Sequence, residues 1–375
     1  MTDDVAPLER AIQGALAAGP LDEEAIRAAS SRLDALTKPP ASLGRLEALA
    51  IQLAGISGDV GATYRRRAIV VAAADHGVVD QGVSAYPSDV TSQMVANFLA
   101  GGAAINVLAD LVGAAVTVID AGVAGPIPPV PATRARFVRA PIRSGTDDMT
   151  VGPAMTRDDA LRSIAIGLGV VADLARDGIE LIGIGEMGIG NTTAASAVTA
   201  AMTGLAPERV TGRGTGIDDP TYAHKVDVIE RALALRRPDP ADPVGVLAGV
   251  GGFEMGVLMG VLLAATGARI PLILDGFITG AAALLAAALA PGIEIRCIAS
   301  HRSVEPGHAV VLERLGLRPL LELDLRLGEG TGAALAMSLV DAAIAIRDGM
   351  ATFDSAGVAG PAGPVAVVDT RDRVP

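Results

Sequence analysis

The chain has 375 residues, a formal net charge of −12, and apolar side chains at half of its positions but aromatic ones at only 2%. That length suits one large α/β domain with an appendage, or two domains. The acidic balance, with basic residues scattered apart from the run Arg65-Arg66-Arg67, excludes a nucleic-acid surface, because phosphate tracking needs clustered cations.

The opening MTDDVAPLER has no basic segment followed by an apolar block, so no secretory signal is expected and a cytoplasmic location follows. Up to Tyr64 only helical patterning is present, over residues 7–18, 22–36 and 43–56. From there short β-branched runs alternate with helical stretches. AIVVAAA runs into Asp75, AVTVI into Asp120, IELIGIG into Glu186, IPLIL into Asp275 and IEIRCIA into Ser300-His301. Helices are expected over 90–110, 156–176, 191–203 and 331–347. This alternation predicts an α/β fold with a mainly parallel sheet and helices on both faces, built from Ala, Val, Leu and Ile with 45 glycines for close approach. Ligands in such sheets bind beyond the carboxyl ends of the strands, which makes the polar residues at those five ends candidates for one site.

The uncharged run 276–293 approaches the ~18 residues of a membrane span, but its Ala, Gly, Thr and Pro content and the flanking Asp275 and Glu294 read as a buried helix, so no membrane partner is expected. Cys297, the single cysteine, reads as a small buried thiol. After Thr331 comes helix, then a Gly/Pro-rich loop and the charged tail DTRDRVP, expected to fray. The two chain ends, 1–64 and 331–375, are expected to join in a small helical domain, leaving 65–330 as the large one.

Among the motifs, Gly183-Ile-Gly185-Glu-Met-Gly188 satisfies GxGxxG, with Glu208 at a distance suited to a ribose. A nicotinamide dinucleotide site is one reading, although Glu186 inside the loop would repel a pyrophosphate. The other is a seat for a single phosphate at the start of a helix, on Gly188, Gly190 and Asn191, with the loop Thr211–Gly216 and Lys225 contributing donors. No Walker loop, GxSxG elbow or HExxH spacing occurs, so no protein-bound metal or cofactor is expected. Two carboxylates remain, each set among glycines: Glu186 and Glu329 in LGEGTGA. For Glu329, a helix-start charge and a general base of raised basicity fit the residues equally well.

The strings KPPASLGRLE, ADHGVVDQGVSAYPSDVTSQMV, GGAAINVLA, GEMGIGNTTAA, TGRGTGIDD, LDGFITGAAALLA, SHRSVEPGH and LELDLRLGEGTGAALA, in that order from Lys38 to Ile346, resemble the nicotinate-nucleotide:dimethylbenzimidazole phosphoribosyltransferases. Ala41 stands where that family's pattern has Gly. The resemblance implies a Rossmann-like sheet, a homodimer, and transfer of 5-phosphoribose from nicotinate mononucleotide to a benzimidazole base with inversion at C1′, a step of cobalamin assembly. It implies Glu329 as the general base and Glu186 beside the ribosyl group. Gly188, Gly190, Asn191, Gly214, Gly216, Lys225, Asp275 and Ser303 would hold phosphate and ribose, and Tyr86, Ser88, Met94, Met187 and Leu327 the flat acceptor. The glycines beside Glu329 would let that ring approach the backbone. Two other readings stay open: a nicotinamide-dependent oxidoreductase using the GxGxxG, and a non-catalytic binder of base or nucleotide.

Overall fold

The apolar run AIVVAAA becomes β1 (Arg67–Ala74), buried at every position as a central strand must be. The computed structural model describes residues 5–130 and 133–360, so the tail DTRDRVP lies outside the described residues. Around β1 stand β2 (Ala114–Gly122), β3 (Arg136–Arg139), β4 (Leu181–Met187), β5 (Leu272–Leu274) and β6 (Cys297–Ala299). All five pairings are parallel, in the order β3-β2-β1-β4-β5-β6. The order reverses between β1 and β4, so the connections leaving their carboxyl ends diverge and open a crevice there.

Helices α1 (Val5–Ala17), α2 (Glu23–Asp34) and α3 (Arg45–Ser57) precede the sheet. Between β1 and β2 come α4 (Asp89–Ala100) and α5 (Ala104–Leu111), and between β3 and β4 comes α6 (Arg157–Arg176). From β4 to β5 run α7 (Asn191–Thr203), α8 (Pro207–Val210), α9 (Asp219–Arg236), α10 (Pro243–Val250) and α11 (Phe253–Gly267). Then α12 (Phe277–Leu289) leads to β6, followed by α13 (Pro306–Arg314), α14 (Thr331–Gly349) and α15 (Phe353–Ala356).

Successive strand side chains point to opposite faces and feed two cores. Ala68, Val70, Ala72, Ile182 and Ile184 pack with Phe253, Leu262 and Leu285 of α11 and α12. Ile69, Val71, Ala73, Val118 and Ile273 pack with Leu33, Leu53 and Met337 of α2, α3 and α14. Helices α2, α3 and α14 thus lie together on one face, whereas α1 packs on α11 and α6 on the other.

Two expectations change, and one strand appears that was not foreseen. The helix foreseen over 90–110 is two helices, because Gly101 turns left-handed (φ 82°) and ends α4. A Cβ on Gly102 would also collide with the Asn97 side chain. The stretch Asp89–Leu111, long and apolar enough by composition to cross a membrane, is therefore not one continuous rod. The run IEIRCIA begins as a 3₁₀ turn, Ile293–Arg296, and only Cys297–Ala299 is strand. Arg296 is buried, and its Nη2 donates to the carbonyls of Ala18 (2.8 Å) and Gly19 (2.9 Å), a pairing with the N-terminal segment that no local pattern encodes. The edge strand β3 has no clear signal in the sequence pattern, since RFVR is short and only partly buried. Cys297 is buried, and burial pushes its thiol up to about 12.

Helices α6 and α11 pack backbone to backbone through Gly167 and Gly260, where a Cβ would overlap the carbonyls of Val257 and Ile164, respectively. Gly167→Ala should therefore lower stability by about 1–3 kcal/mol, read as a lower urea midpoint at unchanged m value.

Candidate active site

A cleft of about 650 Å³ opens at the crevice between β1 and β4. Its floor is the end of β4, Glu186 and Met187, continued by Gly188 into α7, whose first residue is Asn191. One side carries Tyr86 and Met94, from the loop before α4 and from α4 itself. The other carries His301 and Ser303 after β6, with the loop 324–329 closing over the top.

At that loop's end Gly328, Glu329 and Gly330 are all left-handed, with φ of 82°, 65° and 88°. For glycine this is free, but for Glu329 it costs about 1–2 kcal/mol. Asp275, 1% exposed, holds the turn against that strain. Its Oδ2 accepts from Gly330 N (3.0 Å), and its Oδ1 from Gly332 N (2.7 Å) and Ala333 N (3.3 Å). These are orphan N–H groups of the first turn of α14, so one carboxylate both caps the helix and fixes the turn. Glu329 N also donates to the Glu186 carbonyl (3.2 Å), tying the two acids' backbones together. The glycines on either side serve contacts within the protein. The space a Cβ would take on Gly328 is filled by Glu186 Oε1, and on Gly330 by Ile69.

The electrostatics are those of acids denied water. Burial pushes Glu329 up to about 7, with the Ile105 N–H at the start of α5 opposing the shift. Its Oε2 is buried and has no hydrogen-bond partner. Glu186 is held well above the usual carboxylate range, by burial first and then by Asp275, Glu254 and Glu329; a hydrogen bond from Asn191 Nδ2 works the other way. Burial also takes Asp275 to about 7 despite its three N–H donors. Beneath Gly188, His76 Nε2 and Glu254 Oε1 pair at 3.1 Å with both side chains buried. Burial opposes charge on His76, yet that carboxylate outweighs it and raises the imidazole. His301 falls to about 4 by burial and stays neutral.

At the phosphate-suited end, Lys225 Nζ donates to Thr192 Oγ1 (2.8 Å) and Gly212 O (3.3 Å). Burial lowers this lysine to about 8, with Glu305 opposing. Ser303 lies on the cleft wall, where His308 Nδ1 accepts from its N–H (3.0 Å).

Of the residues singled out from sequence, Glu186, Glu329, Gly188, Asn191, Gly214, Ser303, Tyr86, Met94, Met187 and Leu327 line this one cleft. Tyr86 and Leu327 are exposed at its mouth. Gly190 and Lys225 line a small adjoining cavity of about 30 Å³ that shares Gly188, Asn191 and Gly214 with it. Gly216 lines a neighbouring pocket that shares Gly214, Glu305 and Arg326 with the cleft. Ser88, the residue that precedes α4, is absent from the cleft wall. Asp275 is also absent, its oxygens already taken by α14. Asp75 and Asp120 accept from Ala124 N (2.8 Å) and Val123 N (3.0 Å), bracing the turn after β2 instead. Sequence reading missed Glu305 and Phe277, which the fold brings in from the starts of α13 and α12. The one signal for Glu305 was its place in SHRSVEPGH, between Ser303 and a helix-starting proline.

The dinucleotide reading fails on geometry. Gly183 and Gly185 lie inside β4 rather than in a loop, and a Cβ on Gly185 would strike the backbone of Gly330. Glu208 is exposed on α8, away from the cleft wall.

A parallel sheet with its crevice at a reversal of strand order, a helix N-terminus with a buried lysine, and buried acids together suit a transferase of phosphorylated sugars. Residues 18–358 match the phosphoribosyltransferase family model. The chain belongs to the nicotinate-nucleotide–dimethylbenzimidazole phosphoribosyltransferase family. It is 56% identical over 340 residues to the enzyme of that name from Chloroflexus aggregans, covering 91% of this chain and 95% of the relative. With the enzyme of the same name from Salinispora tropica it shares 50% identity over 354 residues, 92% of this chain and 97% of the relative. The crystal structure of the Thermus thermophilus enzyme is similar with a TM-score of 0.84 at 48% identity, covering 91% of this chain and all of that one.

Because Asp275 holds the backbone that follows Glu329 and also repels its carboxylate, Asp275→Asn should act on turnover rather than on donor binding. Expected is a drop in kcat of roughly 10- to 10²-fold, with the KM for the donor nucleotide nearly unchanged, measured by steady-state kinetics.

Proposed function

We propose that the protein transfers the 5-phosphoribosyl group of nicotinate mononucleotide to 5,6-dimethylbenzimidazole, giving α-ribazole 5′-phosphate and nicotinate with inversion at C1′. The observation that carries this reading is Glu329, a buried carboxylate at the cleft with one oxygen unpartnered and its basicity raised to near neutrality. The acceptor's free ring nitrogen attacks C1′ as the bond from C1′ to the pyridinium nitrogen breaks. That bond's electron pair returns to the pyridinium ring, which leaves neutral at nitrogen. The attacking ring would become cationic, and Glu329 takes the proton from its other nitrogen. The balanced step requires no cofactor.

Each end of the donor has a suited counterpart. The phosphate fits the start of α7 at Gly190 and Asn191 and the Ser303 hydroxyl, with Lys225 as the point charge. The pyridinium and the positive charge developing at C1′ fit beside Glu186, whose ionised form they favour. The acceptor, flat and apolar, fits between Tyr86, Met94, Met187 and Leu327. A homodimer in the cytoplasm, acting on small molecules without nucleic acid or membrane, accords with the family and with the net charge of −12.

Purified protein, nicotinate mononucleotide and 5,6-dimethylbenzimidazole should yield α-ribazole phosphate and free nicotinate by mass spectrometry; no product at high enzyme would overturn the reading. Glu329→Gln should lower kcat by about 10²- to 10⁴-fold. The base acts deprotonated, so kcat/KM should climb with pH up to about 7 and level off. Above about 8 Lys225 loses its proton, and kcat/KM for the donor should fall again. The acid limb should vanish from the residual activity of Glu329→Gln, and its persistence would assign it to another group.

A further inference from the structure

Among the described residues, two acids that line the cleft each have a buried side-chain oxygen with no hydrogen-bond partner: Glu329 Oε2 and Glu305 Oε2. The proposed reaction uses the first and leaves the second unexplained. Glu305 is 6% exposed and stands at the N-cap of α13, where an acid ordinarily turns back onto its own helix. It makes no such bond. Instead the side chain reaches across to the Thr211–Gly216 loop, where Oε1 accepts from Gly214 N (2.8 Å). Gly212 faces the same carboxylate, and a Cβ there would strike Oε2, so the loop leaves room for that oxygen. The Glu305 N–H in turn donates to Ser303 Oγ (3.3 Å), which leaves the Ser303 hydroxyl proton to give to a ligand.

A buried carboxylate oxygen kept unpaired is costly unless a ligand supplies a donor. On a nucleoside monophosphate the phosphate oxygens and the nicotinate carboxylate only accept, and both would be repelled. The groups that donate are the hydroxyls of the pentose, which follow the phosphate by a few bonds. Glu305 adjoins the phosphate-suited end, sharing the cleft with Ser303 and Gly214 and sensed electrostatically by Lys225.

We propose that Glu305 is the specificity-determining residue for the donor's sugar, its free Oε2 accepting from a ribose hydroxyl so that deoxyribosyl donors are rejected. This rests on the phosphoribosyl-transfer reading and extends it to the sugar. A site built to bind a hydroxyl rejects the analogue that lacks it, because its own polar group is then left buried and unpaired.

Nicotinate mononucleotide and its 2′-deoxy and 3′-deoxy analogues, each offered with 5,6-dimethylbenzimidazole, supply the test. For the unaltered enzyme, kcat/KM should favour the ribosyl donor over at least one analogue by roughly 10²-fold or more, and Glu305→Gln should shrink that ratio to below about tenfold. Equal losses for all three donors, with the ratio intact, would make Glu305 a brace for the Gly214 loop and overturn the proposal. Should Glu305→Gln fail to fold, calorimetry on the unaltered protein decides with ribose 5-phosphate against 2-deoxyribose 5-phosphate and 3-deoxyribose 5-phosphate. Weaker binding of at least one deoxy sugar by tenfold or more supports the proposal, and equal affinities overturn it. If no donor is turned over, the transfer reading falls, while the sugar-phosphate titrations still judge Glu305.

Discussion

The carboxylate of Asp275 against the first turn of α14 is the constraint on which the active site depends. Three backbone N–H groups converge on two oxygens that water does not reach. That convergence, with the Glu329 N–H on the Glu186 carbonyl, holds Glu329 in a left-handed conformation that its side chain disfavours. The strain and its restraint are inseparable: the same turn that strains Glu329 sets its carboxylate beside the start of α5 and denies it solvent.

From that anchor the remaining geometry follows. Asp275 ends the connection from β5, Glu186 lies near the end of β4, and their neighbourhood exists because β4 and β5 pair in parallel. The glycines of β4 have a structural reason in the same place. Gly185 leaves room for the Gly330 backbone to lie on the strand, and Gly183 leaves room for Ala333 and Met337 of α14. What reads as a nucleotide-binding fingerprint is thus a packing surface for the helix that carries the proposed base. The phosphate-suited end is a separate device, Lys225 and the Thr211–Gly216 loop, brought to the start of α7 by α9.

Several features were legible because their cause is local. The run NTTAASAVTAAMT becomes α7 with the bounds its pattern implies, since left-handed glycines close it at both ends. The run AIVVAAA is a fully buried strand because an unbroken apolar stretch of that length fits only the middle of a covered sheet. Others were not legible. Arg296 converts a strand-like run into a 3₁₀ turn through carbonyls nearly 280 residues earlier in the chain. Glu305 looks like a helix cap in sequence, and only the approach of the Gly214 loop turns it toward the cleft.

The sequence by itself determined the parallel α/β class, the family, and the acids and glycines from which the site is made, since these depend on periodicity and on ordered motifs. Tertiary structure decided the roles. Asp275, Glu305 and Glu329 are equally plain carboxylates in the chain, yet one is saturated by backbone donors and two, both of residues that line the cleft, keep a buried oxygen unpartnered. That distinction comes from which N–H groups lie within hydrogen-bond reach once the sheet and α14 close together, and no spacing along the chain encodes it.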